Sequence, residues 1–337
     1  MKISIGILSY NAPITLENTL SNYVSSGFIS ICTNREYDIF AVLQMSPLQN
    51  EEELVCTKYG IRFISLPDNG MMGSGFKAIY DNSLNDYILY LENDFLIDSS
   101  INIAEFIDSA MYFIIHMNVH VIRCRSRNNP GKPTFSDELK KLNRKHSAWT
   151  ILLADCAHFI KNPDIEFPNK IKLINNPIIS EEYKNEHKWY LTSARYCNYT
   201  NNPCLTSKSF FKENILPYCR HGSNIEGELI DIWARKDYTC IFGPGLFTHY
   251  RIDGHKTFTK YLCLKNKSYT WGPDYITFLY NGKMNAFGTG EYEYIESNVI
   301  KAFFGDKLHI ITFTEDGKEF TSIRSVDGEK ITGYLTL

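Results

Sequence analysis

Two carboxylates separated by one residue follow the apolar stretch Tyr87–Leu91, in the order Glu92-Asn93-Asp94. In open α/β sheets, ligands bind at the carboxyl ends of the strands. Acids at positions i and i+2 beyond a strand end can both reach one hard cation through oxygen ligands, and Mg²⁺ and Mn²⁺ suit that chemistry. The spacing therefore indicates a site for a divalent cation shared with substrate phosphates, and the alternative is a solvated polar turn.

A glycine-rich stretch lies between a predicted strand and a predicted helix, in the order Asp68-Asn69-Gly70-Met71-Met72-Gly73-Ser74-Gly75. Glycines let the backbone approach a ligand closely, and a helix N-terminus favours an anion. Lys77 lies within the first two turns of that helix. The stretch contains neither a Walker pattern nor a G-x-G-x-x-G pattern, so an ordinary glycine loop is the alternative.

Three further groups of polar residues lie near the ends of predicted elements. Ser9-Tyr10-Asn11 closes the first strand, Glu226 and Glu228 open a helix, and His249 follows a strand. Each has a structural explanation: a plain turn, acids stabilised by a helix dipole, and a histidine that packs inside the protein. The order of the five features along the chain is more informative than any one of them.

The elements that must position these residues alternate between strand and helix over the first part of the chain. This order of short apolar strands and helices predicts an α/β fold with a mostly parallel sheet, flanked by helices and joined by right-handed crossovers. The stretch 125–200 is less regular, and we expect loops and short elements there rather than a new domain. The strand patterns cover residues 2–10, 37–45, 61–66, 87–91 and 120–124.

The pattern changes near residue 272, where short alternating segments lie between turn signals such as Asp327-Gly328. Asp-Gly pairs are typical of β-hairpins. We therefore expect an α/β domain over 1–255, a Lys-rich linker over 256–271 and a small antiparallel β module over 272–337. The length of the chain fits two such domains.

Aromatic residues in and beside this module could form a platform for a sugar, although such residues more often form a core. Binding of a partner and dimerisation are equally open for the module, so the sequence leaves the oligomeric state open. The aromatic residues concerned are Trp271, Tyr275, Phe278, Tyr292 and Tyr294.

The composition excludes several classes of protein. The 337 residues include 35 Lys and Arg against 38 Asp and Glu, a balance of 35 − 38 = −3, so we expect no nucleic-acid partner. No apolar run reaches the roughly 18 residues of a membrane span, and the N-terminal residues do not have the pattern of a signal peptide. The nine cysteines form no C-x-x-C pair, which indicates a reducing compartment, and we expect a cytoplasmic protein.

The ordered set of features resembles the family 2 glycosyltransferases of the GT-A fold, whose α/β domain binds nucleotide sugars. Ser9-Tyr10-Asn11-Ala12-Pro13 resembles the opening strand and turn of that family, and the stretch 66–73 resembles its N-x-G-x-x-G loop. Glu92-Asn93-Asp94 occupies the place of its metal-binding D-x-D motif. The resemblance covers about residues 3–251.

The second half of the resemblance concerns the acceptor and the catalytic base. Asn202-Pro203-Cys204-Leu205-Thr206 is similar to the acceptor-side segment of the family. Glu226-Gly227-Glu228, followed by Asp237-Tyr238, resembles the helix that supplies the base, and His249 falls where a third metal ligand often lies.

The resemblance implies an inverting glycosyltransferase that moves a sugar from a nucleotide-diphosphate donor to a hydroxyl of a carbohydrate or glycoconjugate acceptor. It implies Mn²⁺ or Mg²⁺ as cofactor, bound by Glu92, Asp94 and His249. It places Glu226 as the base, with Glu228 as the second candidate. The residues that would bind the donor are Ser9, Tyr10, Asn11, Asp68, Asn69, Gly70, Gly73, Lys77, Glu92 and Asn93.

Two departures from the family pattern leave other functions open. Gln44-Met45 replaces the acidic pair that follows the second strand in the family, and Glu92 replaces the first Asp of D-x-D. One alternative is a catalytically inactive carbohydrate-binding or assembly protein on the same fold. Another is a sugar-nucleotide nucleotidyltransferase, although Asn11-Ala12-Pro13-Ile14 stands where such enzymes usually carry glycines and basic residues.

Overall fold

A computed structural model of the chain describes residues 2–132, 153–154, 156–178, 187–253, 264, 267–279, 283–286, 288–296, 298–305, 307–314 and 317–336. Ten of its strands form a first sheet. They are β1 (Ile3–Ser9), β2 (Asp38–Leu43), β3 (Arg62–Ser65), β4 (Tyr87–Glu92), β5 (Phe95–Ile97), β6 (Val121–Arg125), β7 (Lys172–Ile174), β8 (Trp189–Ser193), β9 (Cys204–Ser207) and β10 (Thr239–His249).

The strand order of this sheet is β3-β2-β1-β4-β9-β6-β10-β8-β7, and β5 pairs with β10. The pairs β3–β2, β2–β1 and β1–β4 are parallel, and β6 is parallel to β10. Only β5, β8 and β9 run against the others. The predicted α/β class with a mostly parallel sheet is therefore confirmed.

Helices cover both faces of the first sheet. The described helices are α1 (Pro13–Ser25), α2 (Phe28–Asn34), α3 (Gln49–Lys58), α4 (Met71–Asn82), α5 (Ile103–His116), α6 (Pro163–Glu166), α7 (Lys208–Asn214) and α8 (Ile225–Trp233). Helices α1, α2, α3 and α5 pack on one face around buried residues such as Leu20, Phe28 and Phe113. Helices α4, α7 and α8 pack on the other face around Phe76, Phe211 and Trp233.

The apolar strands explain this two-sided packing. All seven residues of β1 are buried, as expected for a strand that is covered on both faces. A β-carbon on Gly6 of β1 would lie 2.5 Å from the side chain of Ile79, so helix and strand approach closely only because residue 6 is glycine.

The irregular stretch between residues 125 and 200 adds strands to the same sheet. β7 and β8 extend its edge beyond β10, and a small core of its own includes Phe167, Ile171 and Tyr190. The described part of this stretch thus belongs to the first domain. Residues 133–152 and 179–186 of it lie outside the described residues.

The C-terminal part forms a second, antiparallel sheet in sequential strand order, so the predicted β-rich module is confirmed. Its first strand lies inside the predicted linker, of which 256–263 and 265–266 fall outside the described residues. The boundaries of the two domains as folding units stay a prediction. The strands are β11 (Ser268–Trp271), β12 (Asp274–Phe278), β13 (Lys283–Asn285), β14 (Thr289–Glu296), β15 (Val299–Phe304), β16 (Lys307–Phe313), β17 (Glu319–Arg324) and β18 (Lys330–Tyr334).

Two observations bear on the expected surroundings of the chain. Within the described ranges, no helix has the length and apolar character needed to cross a membrane. The eight described cysteines are all buried and form no disulfide with one another, and Cys263 lies outside the described residues.

Candidate active site

Ser9 closes β1 and is fixed from inside the protein by two buried side chains. Its Oγ donates a hydrogen bond of 2.5 Å to Oε1 of Glu52 and accepts one of 2.7 Å from Nδ2 of Asn93. The same Glu52 oxygen accepts the backbone N–H of Ala12 at 3.1 Å. Burial raises the pKa of Glu52 to about 7, because removal from water disfavours the charged form. The side chains of Glu52 and Asn93 therefore position the loop after β1.

Asn11 follows in this loop and carries an unusual combination of features. Its backbone has a φ of +53°, in the left-handed region that asparagine tolerates better than most residues. The residue is 5% exposed, and its Oδ1 has no hydrogen-bond partner among the described residues. Buried polar atoms are normally paired, so this oxygen is available to a ligand. Tyr10 beside it is half-buried.

Asp94 is buried and contacts two basic side chains. Its Oδ2 lies 3.1 Å from Nε2 of His249 and 3.4 Å from Nη1 of Arg251, whereas its Oδ1 has no hydrogen-bond partner in the described part of the chain. The contact arises because β5 follows Asp94 directly and pairs antiparallel with the end of β10, which places Phe95 opposite His249. Residues 94 and 249 thus meet although they are far apart in the chain.

Glu92 ends β4 close to this pair. Burial raises the pKa of Glu92, and the negative charges of Asp94 and Glu226 raise it further. Within the described part of the chain, no three His, Cys, Asp or Glu side chains are grouped so that they could hold a metal ion. The structure therefore joins Asp94 to His249 but does not assemble the predicted trio as a ligand set.

A cavity of about 400 Å³ opens at the carboxyl ends of β4, β6 and β10. The residues that end these strands, Glu92, Arg125 and His249, line it together with Glu226 of α8. This is the edge of the sheet at which α/β proteins bind ligands. Three predicted site residues from distant parts of the chain thus share one cavity.

Glu226 is fixed at this cavity by the segment before β9. Its Oε1 accepts hydrogen bonds from Oγ1 of Thr200 at 2.8 Å and from the backbone N–H of Asn201 at 2.7 Å. Its other oxygen receives no hydrogen bond from the described residues. Glu226 can therefore keep its position while Oε2 accepts a proton or a hydrogen bond from a ligand.

Glu228 has different surroundings, although it lies only two residues further on. Its carboxylate forms an ion pair with Arg220, and it does not line the cavity. Side chains two positions apart in a helix point about 200° apart around its axis, so Glu228 faces away from the cavity that Glu226 lines. The geometry separates the two acids that the sequence could not distinguish.

Three residues that line the cavity carry polar atoms without partners. Nη1 of Arg123, the hydroxyl of Tyr199 and Oδ1 of Asn201 are buried and have no hydrogen-bond partner among the described residues. Leaving such atoms buried without partners costs free energy. The lining of the cavity is therefore polar and not fully paired within the described part of the chain.

Two glycines of the loop that were predicted to contact the donor, Gly70 and Gly73, instead pack closely against other parts of the protein. A β-carbon on Gly73 would lie 2.0 Å from the carbonyl oxygen of Arg220 and 2.1 Å from Oγ of Ser223. Gly70 is equally confined, with Oγ of Ser74 at 1.9 Å from the same hypothetical atom. A side chain at Gly73 would therefore collide with the segment before α8, whether or not a ligand is bound.

The other predicted donor-binding residues of this stretch, Asp68, Asn69 and Lys77, are exposed. Lys77 pairs with Asp81 one turn later on α4 at 2.5 Å, so its amine is already engaged. Asp68 lies 3.2 Å from the ring of His221. The side chain of Asn69 accepts the backbone N–H two residues on and so shapes the turn.

Several residues of the site escaped the sequence analysis. Glu52 lies among three consecutive acids at the start of α3 and looked like an ordinary helix N-terminus. Arg123 and Arg125 end the fifth predicted strand and could have been found by the same rule that selected Glu92 and Asp94. Arg251 follows His249 by two residues and has no motif of its own.

Comparison with solved structures gives distant similarities. The chain aligns with S. aureus TarS 1-349 at 13% identity and a TM-score of 0.43, over 74% of this chain and 60% of that one. The same TarS segment in complex with UDP-GlcNAc gives 12% identity and a TM-score of 0.42, over 78% and 62%. A mannosyltransferase from Pyrobaculum calidifontis in complex with GDP-Man and Mn²⁺ aligns at 9% identity and 0.31, over 37% and 35%.

These alignments do not identify an activity, because the identities and TM-scores are low and the chain spans about 60% of the length of TarS 1-349. No family model matches the sequence, and no curated protein matches it.

Proposed function

We propose that the chain is a glycosyltransferase that moves a sugar from a nucleotide-diphosphate donor to an acceptor hydroxyl with inversion of the anomeric centre. The main support is the cavity at the strand ends, which Glu226 lines together with Glu92 and His249. The order of sequence motifs supports the same activity, since the motifs that resemble a base helix and a D-x-D meet at this cavity.

Glu226 is the proposed base. Its Oε2 takes the proton of the acceptor hydroxyl as the hydroxyl oxygen forms a bond to the anomeric carbon. The bond between that carbon and the diphosphate breaks in the same displacement, and its electron pair leaves with the diphosphate oxygen. Attack from the side opposite the leaving group inverts the anomeric centre. Thr200 and Asn201 orient the carboxylate through Oε1.

The sugar acceptor is proposed to occupy the cavity itself. Arg123, Tyr199 and Asn201 offer unpaired donors and acceptors there, which suits a polyhydroxylated molecule. The nucleotide is proposed to contact Asn11, whose buried Oδ1 is unpaired, together with Ser9, Tyr10, Asp68 and Asn69 in the neighbouring loops. Gly73 and Lys77 are left out of this contact, since both engage other residues of the protein.

A divalent cation, Mn²⁺ or Mg²⁺, fits Asp94 and His249. Ligand atoms next to each other on an octahedral ion lie about 3 Å apart, and Oδ2 of Asp94 is 3.1 Å from Nε2 of His249. The unpaired, buried Oδ1 of Asp94 is a further oxygen for a cation. When bound, the ion would supply positive charge for the departing diphosphate. Arg251 and Arg125 add positive charge from the protein.

Metal binding can be measured without substrate. We expect Asp94→Asn to weaken Mn²⁺ binding in calorimetry by at least roughly tenfold, because an anionic ligand is lost. Asp81→Asn, on the exposed face of α4, is the control and should bind Mn²⁺ like the wild type. Equal Mn²⁺ affinity in Asp94→Asn and the wild type would exclude this ion site.

The activity itself is tested with a panel of uridine and guanosine diphosphate sugars in the presence of Mn²⁺. A bound donor should raise the melting temperature, since a ligand at about 100 times its Kd stabilises the folded state by about 2.7 kcal/mol. The donor that does so should be slowly hydrolysed, with release of the nucleoside diphosphate. Binding without any hydrolysis or transfer would instead indicate an inactive carbohydrate-binding protein. No stabilisation by any donor would contradict the proposed function.

A further inference from the structure

The C-terminal sheet closes on itself. The backbone N–H of Thr336 donates to the carbonyl oxygen of Ser268 at 2.8 Å, and that of Tyr334 donates to Oγ1 of Thr270 at 2.9 Å. These contacts join the end of the chain to β11, the first strand of the sheet. In a closed sheet of consecutive antiparallel strands, the turns after β11, β13, β15 and β17 lie at the same end.

A cavity of about 550 Å³ opens at this end. The rest of the interior is filled by apolar side chains such as Tyr269, Phe278 and Phe313. Cavities of about 300–1,000 Å³ are the usual size for small-molecule sites. Space for a small ligand is therefore left at one end of an otherwise packed interior.

Three aromatic rings line the cavity. The ring centroids of Trp271 and Phe304 are 5.5 Å apart, those of Trp271 and His309 are 5.4 Å apart, and those of Phe304 and His309 are 5.5 Å apart. Trp271 and His309 are buried and Phe304 is half-buried, so Phe304 offers most of the aromatic surface that a ligand with an apolar face can reach.

The polar groups beside these rings are held in place by neighbours. Nδ1 of His309 lies 3.0 Å from Oγ of Ser322, and burial lowers the pKa of His309, with the charge of Arg324 lowering it further. Arg324 is itself fixed by Asp327 at 2.5 Å and by Glu329 at 2.7 Å. Polar groups that are already oriented lose little entropy when they bind a ligand.

The balance of charge at the cavity selects among ligand classes. Asp327 and Glu329 together offset Arg324 and Lys307, so the rim does not present the excess positive charge that a phosphate-rich ligand needs. A lipid tail would leave the charged rim without partners. A sugar suits both parts, because its C–H face can stack on the rings and its hydroxyls can bond to Lys307 and Glu329.

We propose that the C-terminal module binds a carbohydrate of one or two sugar rings in this cavity, stacked on Phe304, whose ring packs against Trp271 and His309. The site is built from residues of the second sheet alone, and the proposal does not rest on the transfer activity.

The test uses the full chain and free sugars as probes: glucose, galactose, mannose, N-acetylglucosamine, cellobiose, lactose and chitobiose. We expect saturation-transfer NMR to detect at least one of them and calorimetry to give its affinity. Lys307→Ala and Glu329→Gln should each weaken that affinity roughly tenfold, since each removes a hydrogen bond to a charged group. Phe304→Leu keeps an apolar side chain but removes the ring, and it should weaken binding as well.

Two controls separate this site from the cavity at Glu226. Lys330→Ala, an exposed lysine that does not line the cavity, should bind the sugar like the wild type. Glu226→Gln should also leave this affinity unchanged, whatever it does to transfer. Binding that is lost in Glu226→Gln but kept in the three cavity variants would overturn the proposal. The proposal would also be overturned if none of the sugars bound, or if inorganic phosphate bound at the cavity in their place.

Discussion

A single buried carboxyl group, that of Glu52, holds the loop from which the donor would be contacted. It accepts hydrogen bonds from Ser9 and from the backbone of Ala12, yet its Oε2 is buried without a partner. Burial raises its pKa from 4.5 to about 7, with the hydrogen bond from Ser9 acting in the opposite direction. Glu52 thus orders the loop, but its charged form is disfavoured by burial, so its effect on the free energy of unfolding depends on pH.

This cost predicts a pH-dependent effect of Glu52→Gln. A carboxyl whose pKa is higher in the folded state stabilises the fold below its ordinary value of 4.5, and this stability is lost as pH rises through about 7. The full difference amounts to roughly 3 kcal/mol. From pH 5 to pH 8, urea unfolding should show the wild type losing stability relative to Glu52→Gln. Glu53→Gln on the same helix is the control, and parallel pH curves for the wild type and Glu52→Gln would disprove the assignment.

At the scale of single residues, the sequence identified the acids but not their neighbours. Glu92, Asp94, Glu226 and His249 were selected because they follow strands or open a helix, and all four lie at or beside the cavity. The partners that decide their roles were not predictable, since Arg220 and Thr200 meet the two acids of α8 only through tertiary packing. The role of each predicted site residue in binding or catalysis stays a prediction.

Among the elements, β10 decides where His249 lies. The sequence has a strand pattern over residues 238–242, and the next residues are Gly243-Pro244-Gly245. The strand instead continues to His249, with a shift in its pairing to β6 between Phe242 and Phe247. Gly245 adopts a φ of +77° within this shift. Glycine and proline therefore mark an irregularity inside the strand. The local sequence pattern does not distinguish such an irregularity from a turn.

The start of α4 gives a prediction that separates packing from ligand binding. Gly73→Ala should destabilise the protein by about 1–3 kcal/mol, because the added carbon collides with the backbone of Arg220 and with Ser223. This loss should appear in urea unfolding without any donor present. Lys77→Ala, on the exposed side of the same helix, should change stability little.

A loss of donor affinity in Gly73→Ala without a loss of stability would instead support the interpretation that the glycines let the backbone approach a ligand. If stability were unchanged while donor affinity fell, Gly73 would face the ligand rather than the segment before α8.

At the scale of the whole molecule, the chain contains two sheets with separate cores. The core residues of the second sheet run from Leu264 to Phe320, and they form no common cluster with those of the first. The change of pattern near residue 272 was visible in the sequence because hairpins and α/β units have different periods. The closure of the second sheet was not visible, since it depends on contacts between its first and last strands.

Separate cores predict that residues 1–255 fold without the module. This shortened chain should unfold cooperatively in urea, because its three clusters lose no core partner. It should also bind the same nucleotide sugar as the full chain, as measured by calorimetry. Aggregation or a non-cooperative transition would show that the module completes the first domain.

The central claim is that Glu226 removes the acceptor proton in the cavity at the strand ends, and one comparison of turnover numbers tests it most directly. Glu226→Gln keeps the shape of the side chain and an oxygen for Thr200 and Asn201, but it cannot accept a proton. The account predicts that kcat falls by about 10²–10⁴-fold, the usual contribution of a general base, while donor affinity stays close to that of the wild type. Glu228→Gln, which removes only the ion pair with Arg220, should reduce kcat far less. A kcat near the wild-type value in Glu226→Gln, or a larger loss in Glu228→Gln, would contradict the account.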